Sequence, residues 1–290
     1  MASGSILVAG AAGQLGVELV REFQARGFPV HAFTRAQLDT ADAAAVAACL
    51  TQCAPSLVLN AAAYNQVDLA EQEPEQALRG NAVAVRHLAL NCRRLGAKLV
   101  HFSTDYVFDG LAGRPYTEGD AVNPLGAYGI SKLAGEYYAR AYCDDALIIR
   151  TAAVFGPAGA STPRGNFVES MLRLAKQGRP LRIVNDQTTS PTYAVALAAR
   201  TADLVEHGTT GLIHAGGGSP ITWFDFAQII FAAAGLSPGV TPVGAHEYPT
   251  PARRPAYSAL QNAGLDALGL APMPALPDAL ADYLKRRVPR

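Results

Sequence analysis

Ser5-Ile6-Leu7-Val8-Ala9-Gly10-Ala11-Ala12-Gly13-Gln14-Leu15-Gly16 decides the fold. Its first five residues carry no charge and are almost wholly apolar, as a parallel strand buried on both faces requires. Three glycines follow at GxxGxxG spacing. Residues 17–26 then continue a helical pattern that sets Leu15, Leu19, Val20 and Phe23 on one side. Residues 29–34 read as a second strand. Strand, glycine turn, helix, strand is the context that gives a glycine fingerprint meaning. The glycines let the backbone turn tightly and let a dinucleotide pyrophosphate approach the helix N-terminus, where free N–H groups and the dipole favour anions. A turn that merely joins strand to helix is the alternative reading. The flanking βαβ pattern favours the dinucleotide.

Working outward, the second strand ends in Thr34-Arg35, with no acid before Asp39. An acid at the strand end would accept from the ribose 2′-OH of NAD, whereas an Arg suits the 2′-phosphate of NADP. The expected cofactor is NADPH, with NADH the alternative. Residues 42–50 form an Ala-rich helix. Residues 56–60 form a strand that runs into Ala61-Ala62-Ala63-Tyr64, where small residues let a cofactor lie against the backbone. Residues 71–94 read as one helix, 99–102 as a strand, 109–123 as a Gly/Pro-rich loop and 146–150 as another buried strand. Strands alternating with helices indicate a doubly wound parallel α/β sheet, of Rossmann type. Helices are expected over residues 166–176, 193–206, 223–234 and 277–287, and extended chain over 181–184. A strand over 211–215 rejoins the sheet. Residues 238–255 carry five prolines and read as irregular. The expected division is a dinucleotide-binding domain of residues 1–151 and 192–217, with 152–191 and 218–290 forming a smaller, largely C-terminal substrate lobe.

The 290 residues suffice for one large α/β domain or for two unequal lobes. The formal net charge of +0 gives no sign of a nucleic-acid or membrane partner. Cys49, Cys53, Cys92 and Cys143 form no CxxC pair and read as reduced thiols of a cytoplasmic protein. Residues 1–5 lead directly into a strand without the basic start of a secretory signal. No apolar run approaches the roughly 18 residues of a membrane helix. No His, Cys and carboxylate cluster has metal-ligand spacing, so no catalytic metal is expected. His101 and His214 lie in apolar strands and read as satisfied core histidines.

Chemistry concentrates further along. Ser103-Thr104 follows an apolar strand, at the carboxyl end where ligands of such sheets sit. Tyr128-Gly129-Ile130-Ser131-Lys132 places a Tyr and a Lys four apart, on one helix face. A tyrosine with an ordinary pKa of about 10 becomes usable near neutrality when a cation favours its phenolate. The YxxxK pattern alone also describes a solvated helix face. The upstream glycine turn is what gives this tyrosine a cofactor to work beside.

The glycine turn, Asn60-Ala61-Ala62-Ala63-Tyr64, Ser103-Thr104-Asp105-Tyr106-Val107-Phe108-Asp109-Gly110 and Tyr128-Gly129-Ile130-Ser131-Lys132 together resemble an extended short-chain dehydrogenase/reductase. More narrowly, the chain resembles the dTDP-4-dehydrorhamnose reductase family. The narrower match rests also on Val67-Asp68 with Ala70-Glu71, on Asp186-Gln187-Thr188-Thr189-Ser190-Pro191-Thr192 and on Arg254-Pro255-Ala256-Tyr257-Ser258-Ala259-Leu260. It spans nearly the whole chain.

The resemblance implies NAD(P)H-dependent reduction of the 4-keto group of a nucleotide-linked 6-deoxy-4-keto hexose, with dTDP-4-dehydro-L-rhamnose going to dTDP-L-rhamnose. Tyr128 would supply the proton, Lys132 would lower its pKa and bind the nicotinamide ribose, and Thr104 would hold the carbonyl. Cofactor contacts would come from Gly10, Gly13, Gln14, Leu15, Gly16, Arg35, Asp39, Ala61, Ala62, Ala63 and Tyr64, together with Tyr128 and Lys132. Substrate contacts would come from Thr104, Asp105, Val107, Phe108, Ala153, Asn166, Gln187 and Arg254. Asp105 is either a substrate contact or a turn cap. Arg254 is either a diphosphate clamp or an exposed cation. Asn81 would order the active-site strand, and Asp186 with Gln187 a substrate-side loop. Many members place a tryptophan where this chain has Ala153, and a glycine where it has Thr189. The sole tryptophan, Trp223, falls in another helix, so the sugar-facing side is where the chain departs from its relatives. Other readings are a non-catalytic NADP-binding regulatory subunit, or an epimerase or reductase of the superfamily acting on another sugar. The family commonly forms homodimers.

Overall fold

A computed structural model describes residues 4–162 and 165–287, so the first three residues of the opening segment lie outside it. Strands β1 (Ile6–Ala9), β2 (Val30–Phe33), β3 (Leu57–Asn60), β4 (Lys98–Thr104), β5 (Ala146–Thr151) and, much later, β8 (Gly211–His214) form a six-stranded sheet in the order β2-β1-β3-β4-β5-β8. Every pairing in it is parallel. Successive side chains of a strand point to opposite faces, and β1 has no exposed residue on either. Ile6 and Val8 join one core with Leu19 and Phe23, while Leu7 and Ala9 join the other with Leu50 and Leu88. That double burial is why the strand is apolar throughout.

Helices α1 (Gln14–Ala25) and α8 (Ala194–Glu206) cover the first face. On the second lie α2 (Ala43–Cys53), α5 (Ala84–Leu95) and α6 (Ala127–Tyr142). Asp42 caps α2 by accepting from the Ala44 and Ala45 N–H groups at 2.9 and 3.0 Å. The single helix expected over 71–94 is instead two pieces and a bulge. A short α3 (Val67–Ala70) is followed by α4 (Pro74–Leu78), with proline in its first turn where a missing N–H costs nothing. A π-turn, Arg79–Val83, then joins α4 to α5 and contains Asn81. Its extra residue carries the Asn81 carbonyl so close to α6 that a Cβ on Gly135 would lie 2.2 Å from it. Period-3.6 reading does not reveal a π-turn, because the register slips by one residue only locally.

The second lobe packs α7 (Phe167–Lys176), β6 (Leu181–Val184), α9 (Trp223–Ala233) and α11 (Leu276–Arg286) around Phe155, Phe226 and Tyr283, all fully buried. The polar stretch 186–192 contains β7 (Thr188–Thr189), antiparallel to β9 (Ile221–Thr222). A short α10 (Ala263–Ala267) packs beside β8. The proline-rich stretch is not irregular throughout. It contains β10 (Val240–Val243), parallel to β6 with Pro242 opposite Ile183. Leu181 N–H reaches the Gly239 carbonyl, and Asn185 N–H reaches that of Val243. Residues 239, 241 and 243 therefore face β6, and the Pro242 nitrogen points away from the ladder, the position a strand can yield to proline.

Helix α6 is fixed to the sheet by one buried ion pair. Arg150 of β5 forks onto Glu136, with Nε to Oε1 at 2.8 Å and Nη2 to Oε2 at 2.7 Å. Ser103 of β4 adds its hydroxyl to Oε1 at 2.5 Å. Both ionic side chains are 4% exposed. Removing one partner of such a pair leaves a buried charge uncompensated, at a cost of about 3–5 kcal/mol. Arg150→Met should lower unfolding stability by about that amount in a denaturant titration. The double variant Arg150→Met/Glu136→Leu should recover most of the loss, and an unchanged midpoint in the single variant would contradict the account.

Candidate active site

The sheet order changes direction between β1 and β3, and the crevice at their carboxyl ends is where open α/β sheets bind ligands. Gly10 turns out of β1 with φ +78, and a Cβ there would stand 2.6 Å from the Ala62 nitrogen. Gly13 caps α1 without any side-chain bond to the first-turn N–H groups. Those donors are open to an anion. Gly16 does not line the crevice. A Cβ on it would sit 2.2 Å from the Gly10 carbonyl, so this glycine lets α1 pack against its own turn.

Two neighbouring cavities occupy the crevice. The outer, about 390 Å³, is lined by Gly10, Arg35, Asp39 and Tyr64. The inner, about 350 Å³, is lined by Gln14, Leu15, Thr104, Asp105, Tyr128 and Lys132. Gly13 and Ala61 to Ala63 border both. Asp39 also accepts from the Ala41 N–H at 3.0 Å, as a turn cap. A third cleft of about 620 Å³ lies in the second lobe and holds Gln187 and Arg254 along with Arg182 and Arg253. Trp223 borders both this cleft and the inner cavity.

Thr104 closes β4, and Tyr128 and Lys132 stand one turn apart at the start of α6. The Thr104 hydroxyl donates to Asp105 Oδ1 at 3.0 Å and accepts from the Tyr106 N–H at 3.2 Å, and it shares the wall of the inner cavity with Tyr128. Tyr106 packs edge-on against Tyr128 with ring centres 5.9 Å apart. Burial raises the Tyr128 pKa to about 12; the Thr104 hydrogen bond opposes this and the Asp105 charge adds to it. Burial lowers Lys132 to about 8, against the attraction of Glu136. Here the expected direct help from the lysine takes another form: Lys132 Nζ donates to the Phe102 carbonyl at 2.6 Å. Asp105 is raised to about 6 by burial, held back by hydrogen bonds from Ser258 and Thr104.

Other candidates take different places. Val107 and Phe108 are fully buried in a small core with Tyr116, Ala152 and Leu260, and do not reach the cavity. Apolar side chains that follow a strand end read alike whether they face a ligand or the core. Asn166 caps α7 and donates to Gln14 Oε1 at 2.8 Å, tying the glycine turn to the second lobe from outside the cavity wall. Arg254 is neither free nor simply exposed. Its Nη2 meets Asp68 at 2.8 Å, and it also donates to the Ala252 carbonyl and the Thr250 hydroxyl. Asp186 accepts from the Ala245 N–H and so shapes a loop. Asn81 accepts from the Tyr64 N–H at 2.8 Å and donates to the Tyr64 carbonyl and Ser131 at 3.0 Å, joining the end of β3 to α6. His101 and His214 are only half satisfied: each pairs through Nδ1 while Nε2 has no partner among the described residues. Ala153 and Thr189 both border the inner cavity, Ala153 with φ +43.

Sequence reading missed three contributors. Asn60 and Tyr106 line the inner cavity, and their presence inside quoted motifs was the available signal. Glu71 accepts from the Ala127 N–H at 2.8 Å and so caps α6 across 56 residues, with no local signal at all. Among the described residues no group of three or more His, Cys, Asp or Glu side chains could hold a metal ion, and no helix is long and apolar enough to cross a membrane.

Known proteins are similar to this chain over nearly its whole length. The family model described as RmlD substrate binding domain matches residues 4–288. The chain is 38% identical over 282 residues to the spore coat polysaccharide biosynthesis protein SpsK of Bacillus subtilis (strain 168), covering 97% of each. It is 38% identical over 269 residues to the dTDP-4-keto-6-deoxy-D-glucose reductase of Streptomyces niveus, covering 92% of each. The crystal structure of the dTDP-4-dehydrorhamnose reductase of Bacillus anthracis str. Ames in complex with NADP aligns with a TM-score of 0.93 at 32% identity, covering 98% of this chain and 99% of that one. Over almost its entire length, then, the chain belongs to the dTDP-4-dehydrorhamnose reductase family.

Proposed function

We propose that this protein reduces the 4-keto group of a dTDP-linked 6-deoxy-4-keto hexose with NADPH, dTDP-4-dehydro-L-rhamnose going to dTDP-L-rhamnose. One observation carries the reading: Thr104, Tyr128 and Lys132 converge on the inner end of a crevice whose floor is a glycine turn and an alanine run. The fit to a dinucleotide is steric as well as electrostatic. Only glycine at position 10 lets the turn approach Ala62, and α1 offers uncapped N–H groups beside it. Arg35 stands at the outer end, where a 2′-phosphate would lie. NADPH supplies the hydride when bound. A cytoplasmic setting accompanies this reading, since all four cysteines stand as free thiols. We assign residues 1–151 and 192–217 to the cofactor and 152–191 and 218–290 to the substrate side, a division supported by the separate core of the second lobe.

The side chains then divide the work. Thr104 holds the substrate carbonyl oxygen beside the Tyr128 hydroxyl. Tyr128 gives its proton to that oxygen as negative charge grows on it. Lys132, seated on the Phe102 carbonyl, keeps a positive charge one helical turn from the new phenolate. Arg182, Arg253 and Arg254 give the third cleft the cations a diphosphate needs, and Trp223 and Tyr248 give it aromatic surface. Arg254 would exchange its bond to Asp68 for the phosphate.

A panel of dTDP-linked 4-keto-6-deoxy sugars, incubated with NADPH and with NADH, should show NADPH consumption and formation of the 4-hydroxy sugar; absence of turnover across the panel would overturn the reading. Tyr128→Phe should lower kcat on the order of 10²- to 10⁴-fold while NADPH affinity, read by fluorescence titration, changes little. Arg35→Ala should raise KM for NADPH by roughly ten- to a hundredfold, the worth of a hydrogen bond to a charged group, and leave KM for NADH nearly unchanged.

A further inference from the structure

We propose that Asp68 is a resident competitor of the substrate's diphosphate: its carboxylate holds the Arg254 charge while the third cleft is empty, and so loosens the grip of that cleft on substrate and product alike. This rests on the reading above of the cleft as the nucleotide side of a reductase. Three arginines line the cleft. Arg253 is exposed and enters no ion pair among the described residues. Arg182 meets Glu247 at 2.6 Å. Arg254 is held most fully. Its Nη2 lies 2.8 Å from Asp68 Oδ2, and its Nη1 donates to the Ala252 carbonyl at 3.2 Å and to the Thr250 hydroxyl. A guanidinium has five N–H donors, so three are engaged before any phosphate arrives. Asp68 sits in α3, just after the alanine run that walls the cofactor crevice, and its Oδ1 accepts the Ala252 N–H at 3.2 Å. One carboxylate thus clasps both the backbone and the cation of residues 252–254. The hydrogen bond from Arg254 holds the Asp68 carboxyl below its ordinary range, so near neutrality it carries its full negative charge.

Competition takes two forms. A phosphate oxygen must displace the Asp68 oxygen from Nη2 or share the guanidinium with it, and the carboxylate's own charge repels the newcomer. The pair is weak enough to yield. The Arg254 and Asp68 side chains are 22% and 42% exposed, and an ion pair so open to water is readily exchanged. The reaction gives such a competitor a use. Reduction at the 4-position leaves the nucleotide diphosphate unchanged, so any hold on it is felt equally by substrate and product. Uniform tightness of that kind lowers KM without raising kcat, and it delays departure of the product. A carboxylate that reclaims Arg254 loosens both bound states together. Affinity is lower than the arginines alone would give, and the product leaves sooner.

The test titrates the whole chain with dTDP and with thymidine, following the fluorescence of Trp223, the only tryptophan and part of the cleft wall. Asp68→Asn keeps an oxygen for the Ala252 N–H but turns an amide nitrogen, which accepts nothing, toward Arg254. The cation is released while the clasp on the backbone stays. This variant should bind dTDP roughly two- to fivefold tighter, the range for a half-exposed ion pair. Thymidine, which has no phosphate, should bind both proteins equally. Asp68→Ser removes the charge with a different shape and should also tighten dTDP. Arg254→Gln should weaken dTDP, and adding Asp68→Asn to it should change little, since no cation is left to release. In turnover, Asp68→Asn should lower KM for the dTDP-linked sugar by the same factor without raising kcat. Unchanged or weaker dTDP binding in both Asp68 variants, equal tightening of thymidine, or an undiminished effect of Asp68→Asn beside Arg254→Gln would overturn the proposal. Failure of the reductase reading looks different: no turnover across the sugar panel, while the dTDP titrations keep their order.

Discussion

The Glu136 carboxylate is the constraint on which the rest turns. Placing it between two strands and a helix strips it of water, and only the Arg150 fork and the Ser103 hydroxyl make that placement tolerable. Glu136 stands four residues beyond Lys132 and eight beyond Tyr128, on the same stripe of α6. Fixing its end of the stripe fixes the rotation of the helix, and hence where the phenol and the ammonium point. The contact between Gly135 and the Asn81 carbonyl sets the depth of the same helix. Glu71 and Asn81 hold its first turn from outside. The chemistry of the site is therefore positioned by residues that never touch a substrate.

The three ionisable groups at the reacting end share one cause of perturbation. Loss of water raises Tyr128 and Asp105 and lowers Lys132, so each is pushed toward its neutral form. Carbonyl reduction creates negative charge at one oxygen. A pocket stripped of water, with donors already oriented, responds to that new charge more strongly than a solvated one.

The sheet and the gathering of Thr104, Tyr128 and Lys132 on one cavity were legible because their signals are local. A buried parallel strand needs apolar residues on both faces, a glycine turn needs its glycines within a few residues, and a Tyr–Lys pair needs only helical spacing. The wall that Trp223, Ala153 and Thr189 form was not legible, since it depends on where separate segments come to rest. Trp223 is remote from the glycine turn in sequence yet borders the same cavity. Val107 and Phe108 belong to a motif whose polar members face the crevice while they face the core. Arg254 has its partner 186 residues away. The π-turn at Asn81 was hidden for a different reason: it alters the helix by one residue, which a pattern averaged over several turns absorbs.

Pro242 has a consequence beyond the secondary structure it disguised. The strand that carries it has β6 on one side and, among the described residues, no further strand on the other. An unpaired strand edge is a template on which another chain can add by hydrogen bonding. Here the outward-facing position offers a ring carbon where a recruiting strand would need an N–H. That edge of the little sheet is thus blunted against growth, and copies of the protein crowded together at high concentration are denied one route to fibrous association.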